Sequence, residues 1–100
     1  MSKRSAPPRF RLILFVAGDE PNSTRARGNL TRILAEHFDL APELEEVNVL
    51  VDFRRAIDHN VFITPALVIA LSDRPLTIYG DLSEEEEVVA ALRPALLPHG

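Results

Sequence analysis

Short apolar runs alternate along this chain with segments in which apolar residues recur every three or four positions. The first run, 10–16, is aromatic and aliphatic with a single charge, a pattern typical of a strand buried on both faces. Three later apolar runs, at 47–51, 66–71 and 76–79, predict three more strands. Pro65 lacks a backbone N–H and therefore fits the start or the edge of the third strand.

Helical periodicity marks the segments between these strands. Asn22 or Ser23 is predicted to cap a first helix. Its apolar face comprises Ala26, Leu30, Ile33, Leu34 and Phe38. A loop is predicted over 39–46. A short second helix over 52–59 is predicted to have Asp52 as its N-cap and Ala56 and Ile57 on its inner face.

The last segment begins with a capping box formed by Ser83 and Glu86, and its acidic first turn suits the positive end of a helix dipole. The apolar face of this third helix comprises Val88, Val89, Leu92 and Leu96. Pro94 is predicted to end the helix near Arg93.

The resulting order, β-α-β-α-β-β-α, predicts an α/β domain with a mixed four-stranded sheet and a thioredoxin-like plan. We expect this single domain to span 10–97. Residues 1–9 are polar and basic, and we expect them to form a disordered tail.

Composition narrows the functional classes. Eleven basic and fifteen acidic residues give a net charge of −4, which argues against a nucleic-acid binder. No apolar run reaches the roughly 18 residues of a membrane span, and no signal peptide is evident, so a cytoplasmic protein is predicted. The absence of cysteine excludes disulfide exchange and thiolate ligands.

No catalytic, cofactor or metal site emerges from the remaining residues. The three histidines, at 37, 59 and 99, lack the spacing of metal ligands. The start of the first helix, at 22–25, resembles an anion site only weakly, and no nucleophile accompanies it. We therefore predict a protein without enzymatic activity or a cofactor.

Several short segments together resemble one known family. These are 14–18, 21–23, Arg25-Ala26, Val49-Leu50, Ala56, Thr64-Pro65, Leu67 and 80–83. The chain is similar to the circadian clock protein KaiB family from about Phe10 to Leu97. The resemblance implies a binding protein that docks on the KaiC ATPase ring and then sequesters KaiA. It also implies two interconverting folds, a tetrameric ground state and a monomeric thioredoxin-like state that binds the ring.

Some positions depart from the family pattern and bear on which fold is populated. Ala91 and Arg93 stand where the family usually has glycine and aspartate. Alanine stabilises a helix interior by about 1 kcal/mol relative to glycine. Arginine near the helix C-terminus interacts favourably with the helix dipole, which stabilises the helix by roughly 0.3–1 kcal/mol. We therefore predict a monomer whose ground state is thioredoxin-like. Residues predicted to determine the fold state are Thr64, Pro65, Gly80, Asp81, Ala91 and Arg93. A cis Thr64–Pro65 bond and a trans bond are left as equal alternatives.

The predicted partner surface is the edge of the second strand together with the segment that follows it. Its residues are Arg25, Glu45, Phe53, Arg54 and Arg55. The family usually carries basic residues at Ile13, Glu45, Asn60, Ile69 and Leu76-Thr77, and Asp52-Phe53 replaces an Asn-Pro pair. Because charge complementarity governs partner choice, these losses count against a standard KaiC ring and more strongly against KaiA.

Two interpretations follow. The leading one is a KaiB-like clock protein that binds a KaiC-type ATPase. The alternative is a stand-alone thioredoxin-like interaction module, or a KaiB-like sensor domain in two-component signalling, that binds neither KaiC nor KaiA. Whether KaiA or a clock histidine kinase is a further partner is left open.

Overall fold

A computed structural model describes residues 10–38, 44–71 and 75–96 of the chain, with eight elements in this order. They are β1 (Phe10–Val16), α1 (Pro21–Ile33), a π-helical turn (Leu34–Phe38), β2 (Leu44–Asn48), α2 (Phe53–Asp58), β3 (Ala66–Leu71), β4 (Pro75–Tyr79) and α3 (Glu85–Leu96). The residues of the predicted tail, 1–9, lie outside the described part.

The four strands form one mixed sheet in the order β2-β1-β3-β4. β1 runs parallel to β2, with Phe15 opposite Val47, and antiparallel to β3, with Phe15 opposite Ala66. β3 and β4 form an antiparallel pair. The predicted α/β, thioredoxin-like architecture is therefore confirmed.

β1 is central to two separate cores, one on each face of the sheet. Leu12 and Leu14 face the layer of α1 and α3, whereas Ile13 and Phe15 face α2. All four side chains are buried because helices cover both faces. This explains why the strand reads as one continuous apolar run.

The second strand is displaced from its predicted position. It spans Leu44–Asn48, whereas the sequence predicted a strand over 47–51 and a loop up to Glu46. The charged residues Glu45 and Glu46 are accommodated because β2 is an edge strand and each carboxylate meets an arginine. The apolar residues at 49–51 form a turn instead.

The first two helices also differ from the prediction in detail. Glu20, not Asn22 or Ser23, is the N-cap of α1, and its carboxylate accepts a hydrogen bond from the N–H of Ser23. Ala56 is buried as expected, but Ile57 is exposed because the short α2 turns it away from the sheet.

The third helix begins later and ends later than predicted. It starts at Glu85, so that Glu84 rather than Ser83 accepts the first helical hydrogen bond, from the N–H of Val88. It continues through Pro94 to Leu96. The missing proline N–H would have bonded to the carbonyl of Ala90, and that residue is exposed to water. No helix in the described part of the chain is both long and apolar enough to span a membrane.

Candidate docking surface

One end of the sheet gathers loops from all four strands. The carboxyl ends of β1, β2 and β4 and the amino end of β3 meet there, as the pairing registers require. The loop from β1 to α1, the turn from β2 into α2, and the segment from α2 to β3 therefore lie at the same end.

Large apolar side chains are exposed at this end. Those of Leu50, Val51, Phe53, Phe62 and Ile63 have exposed fractions of 62–81%. We refer to these five residues as the apolar end. Soluble proteins seldom display so many large apolar side chains in one region unless the region binds something.

Asn48 joins two of the loops that form this end. Its side-chain oxygen accepts hydrogen bonds from the N–H of Gly18 and the N–H of Leu50, both at 3.0 Å. Gly18 has a φ of +59°, and a Cβ on it would lie 3.2 Å from Cδ1 of Leu50. Leu50 therefore packs closely over the β1–α1 loop. Asn48 was not among the residues predicted from the sequence, although a polar residue inside an apolar run was a usable signal.

The β1–α1 loop is held by its own side chains. Ser23 is buried, and its hydroxyl oxygen accepts the N–H of Ala17 at 3.0 Å. The carboxylate of Glu20 occupies the amino end of α1, and Pro21 has no N–H to offer there. Because a carboxylate of the chain itself already fills this position, the structure does not favour an anion site at 22–25.

The Thr64–Pro65 bond beside the apolar end is cis. The carbonyl of Pro65 accepts the N–H of Gly80 at 2.9 Å. Gly80 has a φ of +106°, which an L residue rarely adopts. Three residues predicted to determine the fold state, Thr64, Pro65 and Gly80, are thus brought together.

Glu45, one of the residues predicted to contact a partner, forms ion pairs within the chain. Its two carboxylate oxygens accept hydrogen bonds from Nη1 and Nη2 of Arg55 at 2.7 and 2.9 Å. Nη2 of Arg11 donates a third hydrogen bond to Oε1 at 2.9 Å. Hydrogen bonding from Arg55, followed by the charges of Arg55 and Arg11, lowers the pKa of Glu45. Phe53 and Arg54 are exposed beside this cluster. The structure therefore brings four of the five predicted partner residues together.

Arg25, the fifth predicted partner residue, lies in a different layer. It projects from α1, and its Nη1 donates to Oδ1 of Asn22 at 2.5 Å. Its charge also acts on Asp81, whose pKa is lowered mainly by hydrogen bonds from Ser83 and to a smaller extent by Arg25. Asn29 donates to the carbonyl of Asp81 at 2.8 Å, so this loop is tied to α1.

The remaining two residues predicted to determine the fold state lie on α3. Ala91 is half-buried and packs against the core, and Arg93 is exposed near the His37 side chain in a groove of about 300 Å³. Both belong to a helix, as the prediction required.

Glu36, His37 and Glu85 form a cluster of three residues with ligand atoms within 4.8 Å of one another, at the opposite end of α1 from the apolar end. Arg32 already pairs with both carboxylates, at 2.7 Å from Glu85 and 3.4 Å from Glu36. His37 Nε2 lies 2.6 Å from Glu85. Arg32 thus offsets part of the negative charge that would attract a cation, and the cluster is better explained as a link between α1 and α3.

Comparison with known proteins decides the family. The model of the KaiB domain matches residues 13–94. The chain belongs to the KaiB family. The circadian clock oscillator protein KaiB of Microcystis aeruginosa is 38% identical to it over 81 residues, which are 81% of this chain and 78% of the relative. KaiB1 of Synechocystis is 37% identical over 81% of this chain and 77% of its own length.

Solved structures confirm the thioredoxin-like fold of this KaiB family member. The N-terminal domain of Synechococcus elongatus SasA superposes with a TM-score of 0.75 at 22% identity, covering 99% of this chain and 93% of that domain. A thioredoxin from Halobacterium salinarum gives 0.72 at 17% identity, covering 92% of this chain and 79% of the thioredoxin. At these identities the likeness concerns the fold alone.

Proposed function

We propose that this chain is a non-enzymatic KaiB-like clock protein that docks its apolar end on a KaiC-type ATPase ring. The observation that carries the proposal is the exposure of five large apolar side chains at one end of the sheet of a KaiB family member. Burying such side chains against a partner gains roughly 25 cal/mol per Å² of apolar surface removed from water.

The residues predicted to contact a partner take different roles in this proposal. Phe53 and Arg54 are exposed and contact the partner directly. Glu45 and Arg55 join β2 to α2 and thereby hold Phe53 in place. Arg25 lies in the other layer and is a second contact point only for a partner that reaches around the β1–α1 loop.

The docking form in this proposal is the thioredoxin-like monomer. α3 is helical through Ala91 and Arg93, in agreement with the helix-favouring substitutions at those two positions. The tetrameric alternate fold is a property that the family resemblance implies, and KaiA capture is not part of the proposal.

A second candidate is the sensor-type module. The similarity in fold to the SasA N-terminal domain over nearly the entire chain favours it. In that case the same surface would meet a signalling partner, and the chain would bind neither KaiC nor KaiA.

Ring binding is tested by biolayer interferometry with a purified KaiC-type ATPase from the same organism. Phe53→Ser combined with Phe62→Ser should weaken binding by at least tenfold, because the two changes remove apolar surface that the proposal buries against the ring. Both side chains are exposed in the free protein, so the substitutions should affect its folding little. Leu76→Ser on β4 makes the same apolar-to-polar change away from the apolar end and should change the affinity less than twofold. Absence of wild-type binding at tens of micromolar would refute the ring as partner.

A further inference from the structure

We infer that the partner surface that meets the apolar end is cationic, with Lys or Arg side chains surrounding an apolar centre. This inference rests on the proposed function for the location of the site and adds the charge of the partner. It is drawn from three carboxylates, those of Asp19, Glu20 and Asp52, that border the apolar end.

The three carboxylates lie on the two loops that Asn48 joins. Asp19 and Glu20 follow Gly18, over which Leu50 packs. Asp52 lies in the chain between Val51 and Phe53, two residues of the apolar end. All three acidic residues are exposed.

None of the three forms an ion pair within the described ranges, although arginines are close enough to act on two of them electrostatically. Arg27 experiences the charge of Asp19, but its guanidinium is bound to Glu46 at 2.9 Å. Arg55 experiences the charge of Asp52, but it is bound to Glu45. These two arginines therefore already have other partners.

Local structural roles account for only one of these carboxylates. Glu20 caps α1 through one oxygen. Asp52 occupies the N-cap position of α2, yet its side chain makes no capping hydrogen bond. An exposed carboxylate beside apolar side chains, without a structural partner, is suited to meet a cation on a docking protein.

Charge at the border of an interface acts mainly on the rate of association and on partner choice. A cationic partner would be steered toward the carboxylates, whereas an acidic one would be repelled. The steering should weaken with added salt, because exposed charges are screened beyond about 8 Å at physiological ionic strength.

A first experiment tests the charge preference without the ring. Two peptides share the same leucine and phenylalanine residues, and these are flanked by arginine in one and by glutamate in the other. In ¹H–¹⁵N spectra the arginine peptide should shift residues 18–20, 50–53 and 62–63 and bind at least tenfold more tightly at low salt. Equal binding, or tighter binding of the glutamate peptide, would overturn the inference.

A second experiment uses the ring. Asp19→Asn combined with Asp52→Asn should slow association by about three- to tenfold and reduce its salt dependence. Glu86→Gln combined with Glu87→Gln removes the same charge from exposed positions of α3 and should leave the rate within twofold. A rate that is unchanged by the first pair, or changed equally by both, would contradict the inference.

The two proposals fail in different ways. Wild-type protein that selects the arginine peptide but ignores the ring would refute the ring as partner and support the cationic surface. If Phe53→Ser with Phe62→Ser weakens ring binding but Asp19→Asn with Asp52→Asn leaves it unchanged, the ring is supported as partner and the cationic surface is refuted.

Discussion

The same substitution, glycine to alanine, should have opposite effects at two positions of this fold. Gly28 lies inside α1, and a Cβ placed on it meets no atom within 4 Å. Gly80 also has open space around its Cβ position, but its φ is +106°. Sterics are therefore equal at the two sites, and only the backbone conformation differs.

The magnitudes follow from that difference. Gly28→Ala should raise the free energy of unfolding by about 0.5–1 kcal/mol, because alanine loses less conformational entropy in a helix than glycine. Gly80→Ala should lower it by about 1–3 kcal/mol, because an L residue is strained at this positive φ. Moving the backbone to relieve the strain would also disturb the hydrogen bond from Gly80 to the carbonyl of Pro65.

Urea unfolding followed by circular dichroism measures the free energy of unfolding of both variants and of the wild type under the same conditions. The difference between the two variants should be at least about 1.5 kcal/mol with unchanged slopes. A neutral or stabilising Gly80→Ala would refute the assigned conformation of the β4–α3 loop. A destabilising Gly28→Ala would show that this glycine packs against another part of the chain.

Three further predictions use the same stability measurements. Ser23→Ala should cost about 1–3 kcal/mol, because the N–H of Ala17 loses its buried acceptor, and Thr24→Ala on the exposed side is its control. Hydrogen bonds from Arg32 and then His37 lower the pKa of Glu85 in the folded state. The stabilisation is therefore present above the unfolded pKa near 4.5 and is lost as the pH falls through the lower folded value. Glu85→Gln should remove this contribution, so that the stability of the variant falls less steeply in acid than that of the wild type. A thermal melt series that falls as steeply below pH 4.5 in the variant as in the wild type would contradict this. Arg93→Asp combined with Ala91→Gly should weaken the end of α3 and raise the population of any alternate fold. That fold should be visible as a second set of NMR resonances and as a larger mass in solution. A single helical monomer for both the variant and the wild type would contradict the prediction that Ala91 and Arg93 favour the helical state.

Elements whose pattern depends on burial alone were predictable from the sequence. β1, β3 and, apart from Ser23, the inner face of α1 carry apolar residues where the structure buries them, as Leu30 and Ile33 illustrate. β2 was misplaced because it is an edge strand, where charged residues are tolerated, and because the apolar turn after it resembled a strand. Its position depends on contacts that local periodicity does not report.

Residue type alone indicated which side chains of the proposed docking surface are exposed, but not which of them are bound within the chain. Phe53 and Arg54 were identified from residue type, and both are exposed. Glu45 was also chosen, yet it pairs with Arg55 ten residues away and with Arg11 thirty-four residues away. Its availability to a partner is decided by these tertiary contacts, and the joining role of Asn48 depends on a contact thirty residues away in the chain.

The two layers of this fold separate docking from fold stability. The apolar end is formed by the turns around α2, whereas Ala91, Arg93 and the Arg32–Glu85 pair lie in the layer of α1 and α3. Substitutions in the second layer should therefore alter the stability of the thioredoxin-like form while leaving the affinity of its folded fraction for a partner unchanged. The β4–α3 loop is the exception, because Gly80 bonds to Pro65 at the apolar end while Asp81 is held by Asn29 of α1. We therefore expect residues 80 and 81 to contribute to coupling between partner binding and the state of α3. Strain introduced by Gly80→Ala should change both stability and affinity, whereas Gly28→Ala should change only stability.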